Sequence, residues 1–291
     1  MRPLLALGAV VALVTASVVP YVRNRTGQGP NGGHCLAWPA GVLEYHPNAT
    51  GAPDLGPAAF AAIDASVATW ARQMDFCGNL TLVVGPRSTS RTVGFNDTPT
   101  ASNENLVLFR TRDCTDVVPA DNPCLRDGDC GNSFDCWEFA PGTLAITTTN
   151  FATSNGQLLD ADIELNAASH LFTTVDGPPC TDVDALSCTS IDVQNTVTHE
   201  LGHTLGLAHS PDGRSTMFAG AERGETKKRV LDDGSQEFVC TAYPQGQQSR
   251  DCDGSPLQVR VPGTSCGAAP VGLLALGGLL VSRLREPRRN G

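Results

Sequence analysis

No CxxC pair occurs among the eleven cysteines of this 291-residue chain, so a zinc module built on paired cysteines is excluded. Basic charge is also short. Lys and Arg number 20 against 30 Asp and Glu, a net charge of −10. Arg283, Arg285, Arg288 and Arg289 crowd the C-terminal tail, so the middle of the chain is more acidic still. No basic patch stands out, which excludes nucleic acid as the expected partner. The apolar run 271–281 near the C-terminus falls short of the ~20 residues of an ordinary spanning helix. No internal repeat is present. Histidine is scarce, at six residues in all.

Three of those six histidines fall together in His199-Glu200-Leu201-Gly202-His203-Thr204-Leu205-Gly206-Leu207-Ala208-His209. Positions i and i+4 share one face of an α-helix, so His199 and His203 can aim their rings at one cation. Glu200 projects beside the metal without needing to bind it. Gly206 can take the positive φ that ends a helix and turns the chain back, bringing His209 round as a third ligand. Three imidazoles leave the fourth position of a tetrahedral zinc open to water, which marks a catalytic site and not a closed structural one. The hydrolysis expected of such a site uses a metal-activated water with Glu200 as general base. With 41% hydrophobic residues the chain has material for one sizeable core.

The pattern HExxHxxGxxH, with Met217 in Ser215-Thr216-Met217-Phe218 shortly after it, resembles the metzincin metalloproteases and their Met-turn. Ser210 follows the third histidine as in matrixins, where astacins carry Glu and adamalysins Asp. Ala219 stands where astacins and serralysins place an extra tyrosine ligand. The stretches 143–149, 159–166, 224–226 and 239–244 also look matrixin-like, and the resemblance spans roughly Cys35 to Pro244. It implies an α+β, zincin-like catalytic domain: a twisted mixed five-stranded sheet, about three helices, and the zinc helix below the sheet. It also implies one catalytic Zn2+, support from Met217 beneath the histidines, and protein or peptide substrates. Substrate would pair with an edge strand, here Thr143, Leu144, Ala145, Ile146 and Thr147. Two family features are missing. Only His170 lies between His46 and His199, so a second, structural zinc is not expected, and no PRCGxPD-like cysteine switch precedes the domain. The alternative reading is a catalytically silent zinc-containing surface binding protein, against which the intact Glu200 speaks.

The two ends read as export and anchoring signals. Arg2 followed by the apolar run 4–19, with Val14-Thr15-Ala16 before a cleavage point, forms an expected signal peptide over 1–25. Cys266-Gly267-Ala268-Ala269-Pro270, the short apolar run and the arginines resemble the tripartite C-terminal sorting signal of myxobacterial surface proteins, with Cys266 as the processing residue. A weak membrane anchor is the alternative for 266–291. Either way the catalytic domain, 35–244, lies outside the cytoplasm, extracellular or attached to the cell surface, with sorting machinery or membrane as the tail's partner. The other ten cysteines suggest disulfides, Cys180–Cys188 among the sterically plausible ones. Oligomeric state and subsite preference are not legible.

Periodicity gives the remaining elements. Phe60, Ile63, Val67, Trp70 and Met74 predict a helix over 57–74, with Pro57 in its first turn. Strands are expected at 80–84, 106–109, 143–149 and 161–166, with a turn at Asn155-Gly156. Residues 111–138 read as an irregular, disulfide-stapled insert whose Asp113, Asp116, Asp121, Asp127, Asp129 and Asp135 could hold Ca2+. The active-site helix should begin near Ser190–Asp192 and bury Val197, Leu201 and Leu205, and a last helix should run from Asp232–Asp233 to about Ala242. Residues 245–265 read as a polar linker.

Overall fold

The computed structural model describes residues 21–259, except 28, 30–31, 99–100 and 183–184, together with two strands at 271–276 and 280–281. The expected leader up to residue 20 and Cys266 lie outside the described residues.

The strands are β1 (Val22–Arg23), β2 (Gly41–Pro47), β3 (Leu80–Val84), β4 (Asn105–Arg110), β5 (Ala145–Ala152), β6 (Leu158–Asn166), β7 (Phe172–Thr173), β8 (Ile191–Asp192), β9 (Leu207–Ala208), β10 (Gly220–Ala221), β11 (Val271–Leu276) and β12 (Leu280–Val281). Three longer helices, α1 (Pro57–Cys77), α5 (Val193–Thr204) and α6 (Asp233–Ala242), alternate with them. The insert adds three single turns, α2 (Cys114–Val117), α3 (Cys124–Asp127) and α4 (Gly131–Phe134). Their order comes from short covalent loops, since Cys114–Cys136 and Cys124–Cys130 close on each other within the insert.

The main sheet runs β11-β5-β6-β4-β2-β3. β3, β2, β4 and β6 are parallel, and β5 returns antiparallel to β6 through the tight 153–157 connection. Five of these strands form the mixed sheet expected of an α+β matrixin-like domain. The sixth, β11, comes from the tail and pairs antiparallel with β5 along six residues, from Val271 opposite Ala152 to Leu276 opposite Thr147. β2 carries no clear strand signal, yet it joins β3 to β4. Its alternation buries Leu43 and Tyr45 while Val42 and Glu44 face outward.

α1 and α5 pack on each other and α5 lies against β5 and β6. The predicted stripe Val197, Leu201 and Leu205 is fully buried among Trp70, Leu36 and Met217. Burying each such aliphatic side chain contributes roughly 1.5–3 kcal/mol. Five disulfides use all ten cysteines set aside for pairing, and Cys180–Cys188 is one of them. Cys77–Cys240 ties the end of α1 to α6.

Two boundaries differ from the sequence reading. Residues 21–25, expected within a 1–25 leader, belong to the fold: β1 pairs with β9, Tyr21 packs edge-on to Phe238, and the Arg23 guanidinium donates to the Arg250 carbonyl at 2.8 Å. The linker expected at 245–265 is ordered over its described part, because Cys252 is bonded to Cys35, Asp251 accepts from the Cys35 N–H at 2.6 Å, and Leu257 is buried. The composition was polar because these residues work through side-chain and main-chain hydrogen bonds. No described helix is long and apolar enough to cross a membrane.

Candidate metal centre and catalytic cleft

Asp192 caps α5 by accepting from the Asn195 N–H at 2.7 Å, and its carboxylate is gripped by Arg229 at 2.5 and 2.8 Å. Four buried rings then hold the helix in place. The Trp70 indole donates to the Thr198 carbonyl, the Trp38 indole to the Thr204 carbonyl, and the Tyr243 hydroxyl to the Leu205 carbonyl, while the Tyr45 hydroxyl meets Thr204 Oγ1. A helix anchored at both ends presents His199 and His203 with little freedom.

Gly206 ends the helix with φ +98°, and a Cβ there would stand 2.4 Å from the Leu36 carbonyl oxygen. Both facts require glycine. The turn brings His209 to the other two rings: its Nε2 lies 3.3 Å from His199 Nε2 and 3.1 Å from His203 Nε2. Sequence expected these residues to converge, and they form one of two three-residue groups of metal-ligand type among the described residues. The other, Cys35, Asp251 and Cys252, contains a disulfide and offers no thiolate.

The donor set fits zinc. His199 Nδ1 stands 2.7 Å from the Thr216 carbonyl and His203 Nδ1 2.8 Å from the Leu207 carbonyl. A carbonyl only accepts, so both Nδ1 atoms carry the proton and both Nε2 atoms present bare lone pairs inward. Burial first, then the neighbouring His209, pushes His203 down to about 3. Burial, then His203, Lys228 and His209, holds His199 well below its ordinary value, and burial followed by Lys228 lowers His209. Neutral rings with converging lone pairs can hold a cation between them. Tetrahedral Zn–N bonds of ~2.0–2.1 Å place nitrogens roughly 3.3 Å apart, in agreement with the observed spacings.

Glu200 is fully buried, and its Oε2 accepts from Thr147 Oγ1 at 2.7 Å. The same hydroxyl reaches the Glu200 carbonyl at 3.2 Å. Met217 lies under the helix, where Gly202 makes room: a Cβ on Gly202 would come 2.2 Å from Met217 Sδ and 3.2 Å from Trp70. The Met-turn is itself fixed by Asp232, whose Oδ1 accepts from the Thr216 N–H at 2.9 Å and whose Oδ2 accepts from the Gly234 N–H of α6. One aspartate thus sets both a helix start and the carbonyl that orients His199.

The expected substrate strand, Thr143–Thr147, is displaced along the chain. β5 begins at Ala145 and runs to Ala152, and Thr143 and Leu144 precede it, their carbonyls taken by the Asn166 side chain at 2.9 Å and backbone at 2.8 Å. The strand is also not a free edge, since β11 pairs with it, and Thr147 turns its side chain to Glu200 and not to the edge. Sequence reasoning missed Thr147 in this role, as it missed Thr216, Gly202 and the contact of Asp232 with the Thr216 N–H. Only Gly202 left a signal, as the small residue inside HExxH. The calcium expectation finds no support: no three-donor acidic cluster occurs in the insert among the described residues, and Asp135 pairs with Arg91 at 2.6 Å and Arg110 at 2.9 Å.

The family model for Matrixin matches residues 129–243. Over 123 residues the chain is 32% identical to "Probable matrix metalloproteinase 095L" of Invertebrate iridescent virus 3. That match covers 40% of this chain and 28% of the relative, so the chain spans well under a third of the viral protein's length. The Matrixin match takes in the histidine segment and Met217, and the two matches together support a matrixin-like metalloprotease.

Proposed function

We propose that the chain is an exported zinc-dependent endopeptidase in which His199, His203 and His209 hold the metal and Glu200 is the general base. The carrying observation is the inward convergence of three neutral imidazoles beside a buried carboxylate that is itself held by a hydroxyl. Zinc bound there supplies Lewis acidity toward the scissile carbonyl and acidifies water. Glu200 accepts the proton of the attacking water and returns it to the departing amine. Thr147 holds the carboxylate in the orientation this requires. Thr216 and Leu207 keep His199 and His203 in one tautomer. Met217 does no chemistry and supports the floor of the site.

Extended substrate would lie antiparallel along β5, in the place β11 holds in the full chain. Backbone pairing there aligns the peptide, and side-chain pockets select it. The sorting reading of the tail fits this arrangement, because processing at Cys266 would remove β11 together with the rest of 267–291 and bare the β5 edge. On that reading the mature enzyme is displayed at the cell surface.

The test is cleavage of a mixed peptide library by the zinc-loaded protein, before and after chelation and after zinc is restored. Cleavage lost with the chelator and regained with zinc supports the proposal. One bound zinc without cleavage by either the full chain or the chain ended at 259 favours the silent binding protein instead.

A further inference from the structure

Lys228 is buried with its side chain wholly shielded from solvent, a rare position for an ammonium group. It lies in the 3₁₀ turn Lys227–Arg229, which packs against α5. Its backbone N–H donates to Asn195 Oδ1 at 2.8 Å, in the first turn of the zinc helix. Its Nζ donates to the Gly220 carbonyl at 2.6 Å and lies 2.9 Å from Glu225 Oε1. One residue therefore ties the start of α5 to β10, the two-residue strand that follows the Met-turn. Lys228 hydrogen-bonds to none of the three histidines.

A buried ion pair is a weak source of stability, because removing two charges from water offsets most of their attraction. An apolar pair of similar shape would serve packing as well. The ammonium does one thing that an apolar side chain could not: it fixes the direction of the Gly220 carbonyl. β10 is a strand that accepts an extended chain, since β12 pairs with it in parallel through Gly220–Leu280 and Ala221–Val281. β5 and β10 are thus two backbone rails for an extended segment, antiparallel on one and parallel on the other.

We infer that Lys228 is a positioning residue for peptide binding: by holding the Gly220 carbonyl it fixes β10 as the second rail of the cleft beside the metal centre. The inference rests on the endopeptidase reading. Lys228 takes no part in proton transfer. A peptide long enough to span both rails depends on it, and a short peptide held on β5 alone does not. The relevant substrate class is an extended polypeptide segment engaged through its backbone on both sides of the scissile bond.

The test uses the zinc-loaded chain ended at 259 and three variants, Lys228→Met, Lys228→Gln and Glu225→Gln. Glutamine keeps an N–H donor for Gly220 without the charge. Zinc content, amide hydrogen exchange at Gly220 and Ala221, and kcat and KM on a long and a short quenched peptide are read together. Lys228→Met is expected to keep its zinc, speed exchange at β10 more than about tenfold, and raise KM about tenfold for the long peptide alone. kcat should change less than about threefold. Lys228→Gln and Glu225→Gln should stay within about threefold of the parent on every readout. Unchanged exchange and unchanged KM in Lys228→Met would overturn the inference, as would equal losses for long and short peptides. Should Lys228→Met not fold, a tenfold rise in KM in Lys228→Gln would overturn it equally. Exchange at β10 is read without turnover, so an inactive parent protein would sink the endopeptidase reading while the anchoring of β10 by Lys228 is still measured.

Discussion

Gly206→Ala isolates the turn that delivers the third histidine. At φ +98° an alanine pays backbone strain of ~1–3 kcal/mol. Its Cβ would also sit 2.4 Å from the Leu36 carbonyl oxygen, where contacts under 3.0 Å force a shift, so the turn or residue 36 must move by about 0.6 Å or more (3.0 less 2.4). Neither side yields easily. The Gly206 carbonyl accepts from Asn24, and Leu36 N–H donates back to the Asn24 carbonyl, so both strands of the contact are tied to the same residue. Strain and displacement together predict a loss of ~3–5 kcal/mol and a fall in Tm on the order of 10 °C. The movement falls just before the Leu207 carbonyl that orients His203 and three residues before His209, so zinc affinity should drop at least tenfold in a chelator competition. Calorimetry and the competition are run on one preparation. A variant that loses less than about 1 kcal/mol and competes for zinc like the parent would refute the argument that this geometry, and not merely the histidines, builds the site.

Three further outcomes follow from contacts at and near the cleft. Thr147→Val removes the hydroxyl on Glu200 while keeping its shape, and should lower kcat/KM roughly tenfold with zinc content unchanged, as measured by steady-state hydrolysis and metal analysis. Asp160, pushed up to about 6 by burial, keeps its proton in the folded state to higher pH than in the unfolded chain. The stability this gives is present below about pH 4 and lost as pH rises through 6, so Asp160→Asn should stabilise by ~1–3 kcal/mol at pH 7.5 and not at pH 4, by urea unfolding. Ending the chain at 259 removes β11 and β12 and should raise kcat/KM on peptides at least about fivefold, because substrate no longer competes with the chain's own strand.

The cluster of three histidines was legible because its pattern is local: two histidines one helical turn apart, a glycine for the return and a third histidine all fall within eleven residues. α1 and α6 were legible for the same reason, as an apolar repeat and an aspartate cap each carry their own signal. β2 was not, since a strand ending in Pro47 and carrying Glu44 and His46 looks weak alone and is made by parallel pairing with β3 and β4, elements that lie up to about sixty residues away. Residues 245–265 read as linker by composition, and the order of their described part, 245–259, depends on Cys35 and Arg23 at the far end of the chain. The hold of Thr147 on Glu200 and that of Lys228 on Gly220 were invisible for a related reason. Each residue acts across the fold, and nothing in its own neighbourhood of sequence distinguishes it from a strand threonine or a surface lysine.

The most direct test of the account is zinc content and peptide hydrolysis measured side by side in Glu200→Gln. The account predicts one zinc per chain with hydrolysis reduced by at least about a thousandfold, since the ligands remain and the proton acceptor is gone. Hydrolysis near the parent rate with zinc still bound would contradict it.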